Sequence, residues 1–376
     1  MSVRKSYKYK LKPTAEQERV LDETLWHCRD LYNAGLEQRL WAYRKCGVSV
    51  THAQQEAELP SIREAFPEYA AIHSQVLQDV LTRLDKAYQS FFRRAREGKK
   101  AGFPRFQGRN RYHSFTYKQF GNGARLDNGF LVLSKIGGVA VRWSRPLEGT
   151  PKTVTISHEA DGWYAIVSCA EVPVQPLPLT GRETGIDVGL KVFLITAEGE
   201  VVENPRLYRR GEKHLKQAQR RVSRRKKGSK RRRKAVAHLQ RAHQKVKRQR
   251  QDFQHKTALQ LLRDYDTIYL EDLRVANMVR NPHLAKSISD ASWAQFRSIL
   301  EAKAACAGRR VIAVPPHCTS QECSAILPDG QRCGTRVQKT LSVRTHVCPS
   351  CGLVMDRDEN AAKNILRDGQ ARQALT

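Results

Sequence analysis

No run of about eighteen consecutive apolar residues occurs in the chain, so no segment has the length needed to cross a bilayer as a helix. The first residues, Met1-Ser2-Val3-Arg4-Lys5, lead into a polar stretch without the apolar core of a secretory signal, and an intracellular protein is expected. Acids are scarce as well. Against 67 Lys and Arg stand 37 Asp and Glu, a net charge of +30. Such an excess opposes compaction until a polyanion neutralises it, and with no span for a membrane the expected polyanion is nucleic acid. Neither a base-reading motif nor a tyrosine-nucleophile motif stands out, which argues for contacts that follow backbone shape and against a strand-joining transposase.

With 376 residues there is room for two or three domains. Tyr7 to Leu11 alternates like a strand, and Thr14 with Gln17 has capping-box spacing ahead of a helix whose apolar positions run Leu21, Leu25, Cys28, Tyr32, Leu36 and Leu40. A second helix is expected from about Ile72 to Ala95, with Val76, Val80, Leu84, Ala87 and Phe91 as its buried stripe; Gln75, Gln78 and Arg83 on its polar side could reach nucleic acid. A basic, aromatic loop follows at Gly102-Phe103-Pro104-Arg105-Phe106. From Arg111 to Val172 short strands alternate with Gly-containing turns, and together with the N-terminal strand these predict a small β-barrel interrupted by the helices. Prolines at 173, 176 and 178 mark the main domain boundary. Beyond it the order is three strands, long helices, strand, helix, strand, a cysteine-rich insert and a last helix, which is analogous to the ribonuclease H superfold.

Three carboxylates fall at the ends of elements in that second part. Asp187 lies in Gly185-Ile186-Asp187-Val188-Gly189, Glu271 ends Thr267-Ile268-Tyr269-Leu270, and Asp358 opens the last helix with Asp356 two residues before it. A carboxylate ending an apolar strand needs water, a cation or a hydrogen bond, and singly each is as well read as a solvated strand end or a helix cap. Converging, the three would repel one another unless divalent cations neutralised them. Two Mg2+ ions about 3.5–4 Å apart are the usual solution for in-line attack on phosphodiesters.

Five of the nine cysteines (Cys318, Cys323, Cys333, Cys348 and Cys351) crowd into one short segment, and in a reducing compartment such a cluster reads as metal ligands. Four thiolates close a tetrahedral zinc site, so one of the first three is spare. Cys323, Cys333, Cys348 and Cys351 are the expected set, with Cys318 in place of Cys323 as the alternative. A closed site of this kind is structural. Between Arg206 and Arg250 about half the residues are Lys or Arg, with Glu212 almost the only acid. Lys226 to Ser229 divides the stretch into a helical hairpin whose apolar seam (Leu239, Ala242, Val246, Phe253) packs while the remaining faces present cations for phosphate; Arg220, Arg224, Arg225, Lys230 and Arg231 are the candidate contacts.

Taken together, G-I-D-V-G-L at 185–190, Y-L-E-D-L at 269–273, T-S-Q-x-C-S at 319–324 and C-P-S-C-G…D-R-D-E-N-A-A-K-N-I at 348–365 closely resemble the TnpB proteins, transposon-encoded RNA-guided DNA endonucleases related to the type V CRISPR effectors. The 102–106 loop is similar to a further family signature. The first cysteine pair departs from the family, which has C-x2-C where this chain has Cys323-x9-Cys333. The resemblance implies an α+β multidomain protein: a β-barrel wedge domain (1–12 and 101–178), a helical recognition domain (13–100), and a RuvC-like nuclease domain (179–376) with the basic hairpin at 206–256 and a zinc-finger insert at 315–354. It implies Asp187, Glu271 and Asp358 as the Mg2+-binding catalytic triad, and a transposon-end-derived guide RNA. It also implies a double-stranded DNA target beside a short motif that the protein reads through Ser74, Gln78, Thr116 and Tyr117, with Arg105 as a further nucleic-acid contact. A single copy in the cytoplasm of a prokaryote, on the nucleoid, is the expected state. A nuclease-inactive RNA-guided repressor is the alternative, although such proteins lack part of the triad and all three acids stand here.

Overall fold

A computed structural model describes residues 2–108, 111–316, 318–340 and 342–374, and the chain divides into two units, 1–173 and 174–376. The first unit opens with β1 (Ser2–Lys12), then the 32-residue helix α1 (Ala15–Cys46). Thr14 and Gln17 form the expected reciprocal cap, and Gly47 closes the helix in the left-handed conformation. Three short helices follow, α2 (His52–Ala57), α3 (Leu59–Ala65) and α4 (Pro67–Ala70), and then α5 (Ser74–Arg96). The α5 stripe Val76, Val80 and Leu84 is fully buried against α1 residues such as Leu21, Cys28 and Leu36, as the helical period requires. Arg39 is buried in this bundle, bonded to Gln55 and paired with Asp85 at 3.2 Å.

The strands β2 (Ser114–Tyr117), β3 (Gln119–Phe120), β4 (Gly123–Asp127), β5 (Phe130–Leu133), β6 (Gly137–Arg142), β7 (Thr150–Glu159) and β8 (Gly162–Pro173) join β1 in one eight-stranded sheet. Its order is β2-β7-β8-β1-β6-β5-β4-β3, so the sheet is open and the expected β-barrel does not form. Closure would require β2 to pair with β3. Those strands are separated by Lys118 alone, and an antiparallel pair needs at least a two-residue turn. Alternation and turn spacing reveal strands, but they do not reveal which strand lacks an edge partner.

The second unit holds β9 (Glu183–Val188), β10 (Val192–Thr196), β11 (Val201–Glu203), α6 (Leu207–Ser223), α7 (Lys230–Asp264), β12 (Thr267–Glu271), α8 (Val275–Met278), α9 (Ala285–Ala291), α10 (Trp293–Ala307) and β13 (Arg310–Val314). A two-stranded ribbon, β14 (Thr345–Val347) and β15 (Val354–Asp356), then leads into α11 (Arg357–Ala374). The five-stranded sheet runs β11-β10-β9-β12-β13, with antiparallel hairpins on one side and parallel β9-β12-β13 on the other. One face packs on α7 and α10 through Phe193, Leu261, Ile268, Phe296 and Leu300. The other carries α11 through Ala362 and Ile365, which lie against Ile195 and Tyr269.

That second contact depends on glycine. A Cβ at Gly185 would lie 2.2 Å from the Ala362 carbonyl oxygen, and one at Gly369 would lie 2.0 Å from the Tyr269 ring. The helix therefore lies directly on the strands that carry Asp187 and Glu271.

Candidate active site and metal centre

The register of β9 and β12 puts two of the predicted acids side by side. Leu270 is level with Ile186 in a parallel pair, so Glu271 and Asp187 follow together and project from the same face. Asp187 is also the cross-strand partner of Ile195 on β10. The third acid arrives from α11. A Cβ on Gly189, in the β9–β10 turn, would come within 4.0 Å of Asp358 Oδ2.

The electrostatics report this convergence. The Asp187 carboxyl is raised well above the ordinary aspartate value, first by burial and then by the negative charges of Glu271 and Asp358; Arg357 opposes the rise. Burial also raises Glu271, partly offset by a short hydrogen bond from Thr319 Oγ1. Asp358, 8 % exposed, is held by Arg357 at 3.1 Å and Arg344 at 3.4 Å. Asp272, beside Glu271, instead ion-pairs with Arg297.

Asp356 and Asp358 divide two roles between them. Asp356 Oδ1 accepts from the amides of Asp358 (2.8 Å) and Glu359 (3.3 Å), which is the work of an N-cap. Asp358 is thereby released from capping, and its carboxylate is turned to the acid cluster. Two residues that sequence reasoning missed hold the helix there. Asn360 Oδ1 accepts from the Ser324 amide at 3.0 Å and its Nδ2 donates to Glu322 O; Asn364 Nδ2 donates to the carbonyls of Thr319 and Glu322. Both asparagines are fully buried. Their signal was available: asparagine four residues apart inside a helix runs against propensity and asks for a reason.

Those asparagines tie α11 to the cysteine insert. Cys323, Cys333, Cys348 and Cys351 bring their sulfurs within 4.8 Å of one another, the one such ligand group among the described residues. Cys323 and Cys351 are 3.5 Å apart, and Cys333 and Cys348 are 3.6 Å apart. Tetrahedral Zn–S bonds of about 2.3 Å require sulfurs roughly 3.8 Å from one another, so the residues fit the ion. Burial acts to raise the Cys348 thiol, but the amides of Cys351 and Ser350 outweigh it and lower the thiol to about 6, which favours the thiolate a metal needs. Cys318 stands outside the group, at a turn whose carbonyl accepts from Gln321 and Glu322.

The remaining predicted contacts fare unequally. Arg220, Arg224, Arg225, Lys230 and Arg231 are exposed on the α6–α7 hairpin, and Arg105 is exposed in its loop. Ser74 and Gln78 are half-buried at the start of α5. Tyr117 is a core residue, 1 % exposed, with its hydroxyl on the Ser134 carbonyl, so it has no edge to offer a base. Thr116 shares a 2.9 Å hydrogen bond with Thr155 and accepts from Arg83 at 2.7 Å. Arg83 itself clamps α5 to β2 through Asp79, Ser114 and Thr116 and is a structural residue.

Acids at one end of a mixed sheet of this order, with a four-cysteine insert leading into the last helix, define a protein of the RuvC and ribonuclease H class of nuclease folds. Comparison with known proteins narrows this. Family models match at residues 167–282 (OrfB_IS605, "Probable transposase"), 293–365 ("Cas12f1-like, TNB domain") and 1–47 ("Helix-turn-helix domain"). Residues 2–46 fold here as one strand and one long helix. The chain is 36% identical over 385 residues to a Streptomyces pristinaespiralis protein named "Putative RNA-guided DNA endonuclease", covering 99% of this chain and 91% of that one. It is 29% identical to InsQ of Escherichia coli K12, which carries the same description, over 97% of this chain and 92% of that one. Among solved structures, the cryo-EM structure of the Cas12f1-sgRNA-target DNA complex shares the fold with a TM-score of 0.59 at 12% identity, covering 97% of this chain and 98% of that one. The chain belongs to the TnpB family of RNA-guided DNA endonucleases, relatives of Cas12f.

Proposed function

We propose that this protein cuts double-stranded DNA at sites chosen by a transposon-end-derived guide RNA, using Mg2+ held by Asp187, Glu271 and Asp358. The carrying observation is the raised Asp187 carboxyl: an acid destabilised by burial and by two other acids has an unmet need for positive charge. Mg2+ bound there would activate a water and stabilise the leaving oxygen of a phosphodiester. The chain's own residues prepare for this. Thr319 orients Glu271, Asp356 takes over the capping of α11, and Arg344 and Arg357 balance Asp358 until a metal ion displaces them or a phosphate draws them away. Zinc on Cys323, Cys333, Cys348 and Cys351 would be structural, since four thiolates leave no open position for chemistry.

The hairpin's exposed cations would follow the phosphates of the guide and its heteroduplex, so that base pairing supplies the sequence specificity. Residues 13–100 would serve target-adjacent recognition through Ser74 and Gln78, with Thr116 on β2 as a further contact. The test is Asp187→Ala in the guide-loaded protein. Cleavage should fall by at least about 10²-fold, the scale on which one charge-stabilising group is felt, while target binding stays within a factor of about three. Wild-type cleavage by this variant would remove the assignment.

A further inference from the structure

Beside the acid cluster lies a cleft of about 250 Å3 whose walls carry Lys191, Arg206, Arg209 and Arg344 against a single acid, Asp290. Two of its walls are loops pinned to each other: Asn204 Nδ2 donates to Leu190 O at 3.1 Å, and Asn204 Oδ1 accepts from the Arg206 amide at 3.1 Å. The β9–β10 turn carrying Lys191 and the β11–α6 connection carrying Arg206 are thus one rigid rim. Arg206 sits there at φ 45°, in the left-handed region that only a few residue types adopt readily. Arg209 is steadied by Ser287 at 2.7 Å.

Asp290 offsets only one of the cleft's four positive charges. Its carboxylate is spent on the start of α6, accepting from the amides of Tyr208 (2.9 Å) and Arg209 (3.3 Å), with Arg250 at 3.9 Å. The helix N-terminus is therefore already satisfied, and the attraction in the cleft comes from the four side-chain cations. The cleft also touches the catalytic end of the sheet. Arg344 spans both, lining the cleft and reaching Asp358 Oδ2 at 3.4 Å.

We propose that this cleft is a phosphate subsite that grips the backbone of the DNA strand being cut, one or a few nucleotides from the scissile bond. Like-charged side chains gathered on a rigid rim cost self-repulsion that a bound phosphate relieves, and guanidinium groups suit phosphate geometry. The position beside Asp358 favours the strand being cut over guide RNA as the occupant, because Arg344 belongs to both the cleft and the acid cluster. Gripping that phosphate would hold the scissile bond in line, a positioning role and not a chemical one. This inference rests on the nuclease reading above.

The experiment uses the guide-loaded protein with Mg2+ and a target carrying single methylphosphonate substitutions, which remove one backbone charge at a time, near the cut. Single-turnover cleavage by the wild-type protein should drop about tenfold or more at one position and little at its neighbours. In the Lys191→Gln, Arg206→Asn double variant the basal rate should fall by a similar factor, and that same methylphosphonate should cause no further loss. Asparagine tolerates the left-handed backbone at 206, and Lys191→Arg should retain at least half the wild-type rate, which separates loss of charge from misfolding. Guide RNA should co-purify in full with both variants.

Several outcomes overturn the proposal. One is a double variant that cleaves at the wild-type rate; another is a methylphosphonate penalty that persists unchanged in it. Loss of guide RNA would reassign the cleft to RNA. A thermal shift with inorganic phosphate on the guide-free protein that vanishes in the double variant, together with a flat methylphosphonate scan, would reassign it to a free anion. Failure of wild-type protein to cut any target would instead strike the nuclease reading itself.

Discussion

At residue 187 a carboxylate is kept where burial away from water and two neighbouring acids both disfavour its charge. Replacing it with the neutral isostere separates function from stability. Asp187→Asn should abolish cleavage and, in Mg2+-free buffer, raise the melting temperature, because the substitution removes a repulsion while the amide oxygen of asparagine can still accept from the Val188 amide. Differential scanning calorimetry in Mg2+-free buffer checks this, and a lowered Tm would mean the acids do not oppose one another. The raised folded pKa also gives a sign. Asp187 contributes to stability below the ordinary aspartate range, and that contribution is lost as pH rises through the folded value. The gain from Asp187→Asn should therefore grow with pH. The cysteines offer a complementary substitution. Cys348→Ser should lose one zinc per chain by metal analysis, whereas Cys318→Ser should keep it. Part of this was legible in the residues: carboxylates at element ends pointed to the acids and cysteine crowding to a metal site, with Cys318 left as an alternative to Cys323. The division between Asp356 and Asp358 was not, because the choice of capping acid depends on which amide each side chain can reach.

At the scale of elements, the site is only as good as the seat of α11 on the sheet. Gly185→Ala would drive a methyl group into the backbone of residues 362 and 366, where no side chain can swing aside. We expect a loss of about 1–3 kcal/mol or more, in line with overpacking of a close contact, and a cleavage defect larger than the stability loss explains, since Asp358 moves with the helix. Urea unfolding beside single-turnover kinetics checks both. A second joint lies where the 174–182 segment meets β12. Asp266 accepts from the amides of Thr180 and Gly181 and pairs with Arg309 at 2.7 Å. Burial acts to raise its pKa, but those bonds outweigh it, and the folded value lies below the ordinary one. Its contribution is present above the unfolded pKa and lost as pH falls through the folded value. Asp266→Asn should thus cost about 1–3 kcal/mol at neutral pH, and the cost should shrink as pH falls through the folded value; a pH-independent cost would contradict the clamp. Hydrophobic period located both long helices and all five strands of the second sheet. It did not foresee α2 to α4, whose short polar turns hold no stripe long enough to read, or the open edges of the first sheet, which depend on strand pairing between distant residues.

For the whole molecule the governing quantity is charge. A net +30 is an internal cost that the protein tolerates on its own and recovers when phosphates arrive. The hairpin concentrates that charge while burying a thin seam, Leu215, Ala218 and Val222 on α6 with Ala242 and Val246 on α7, so its stability comes from α6–α7 packing and its outer faces remain exposed to solvent. Counterion release then fixes how binding must respond to salt. Each phosphate neutralised contributes about −0.7 to −0.9 to the slope of log K against log salt. Changing Arg220, Arg224, Arg225, Lys230 and Arg231 together to Gln should weaken guide RNA binding and reduce that slope in magnitude by up to about 4, with little effect on melting temperature, since all five are exposed. Filter binding across a salt series measures it. An unchanged slope would show that the polyanion lies along some other face, and a collapse in Tm would show that these cations hold the hairpin together instead of holding its ligand.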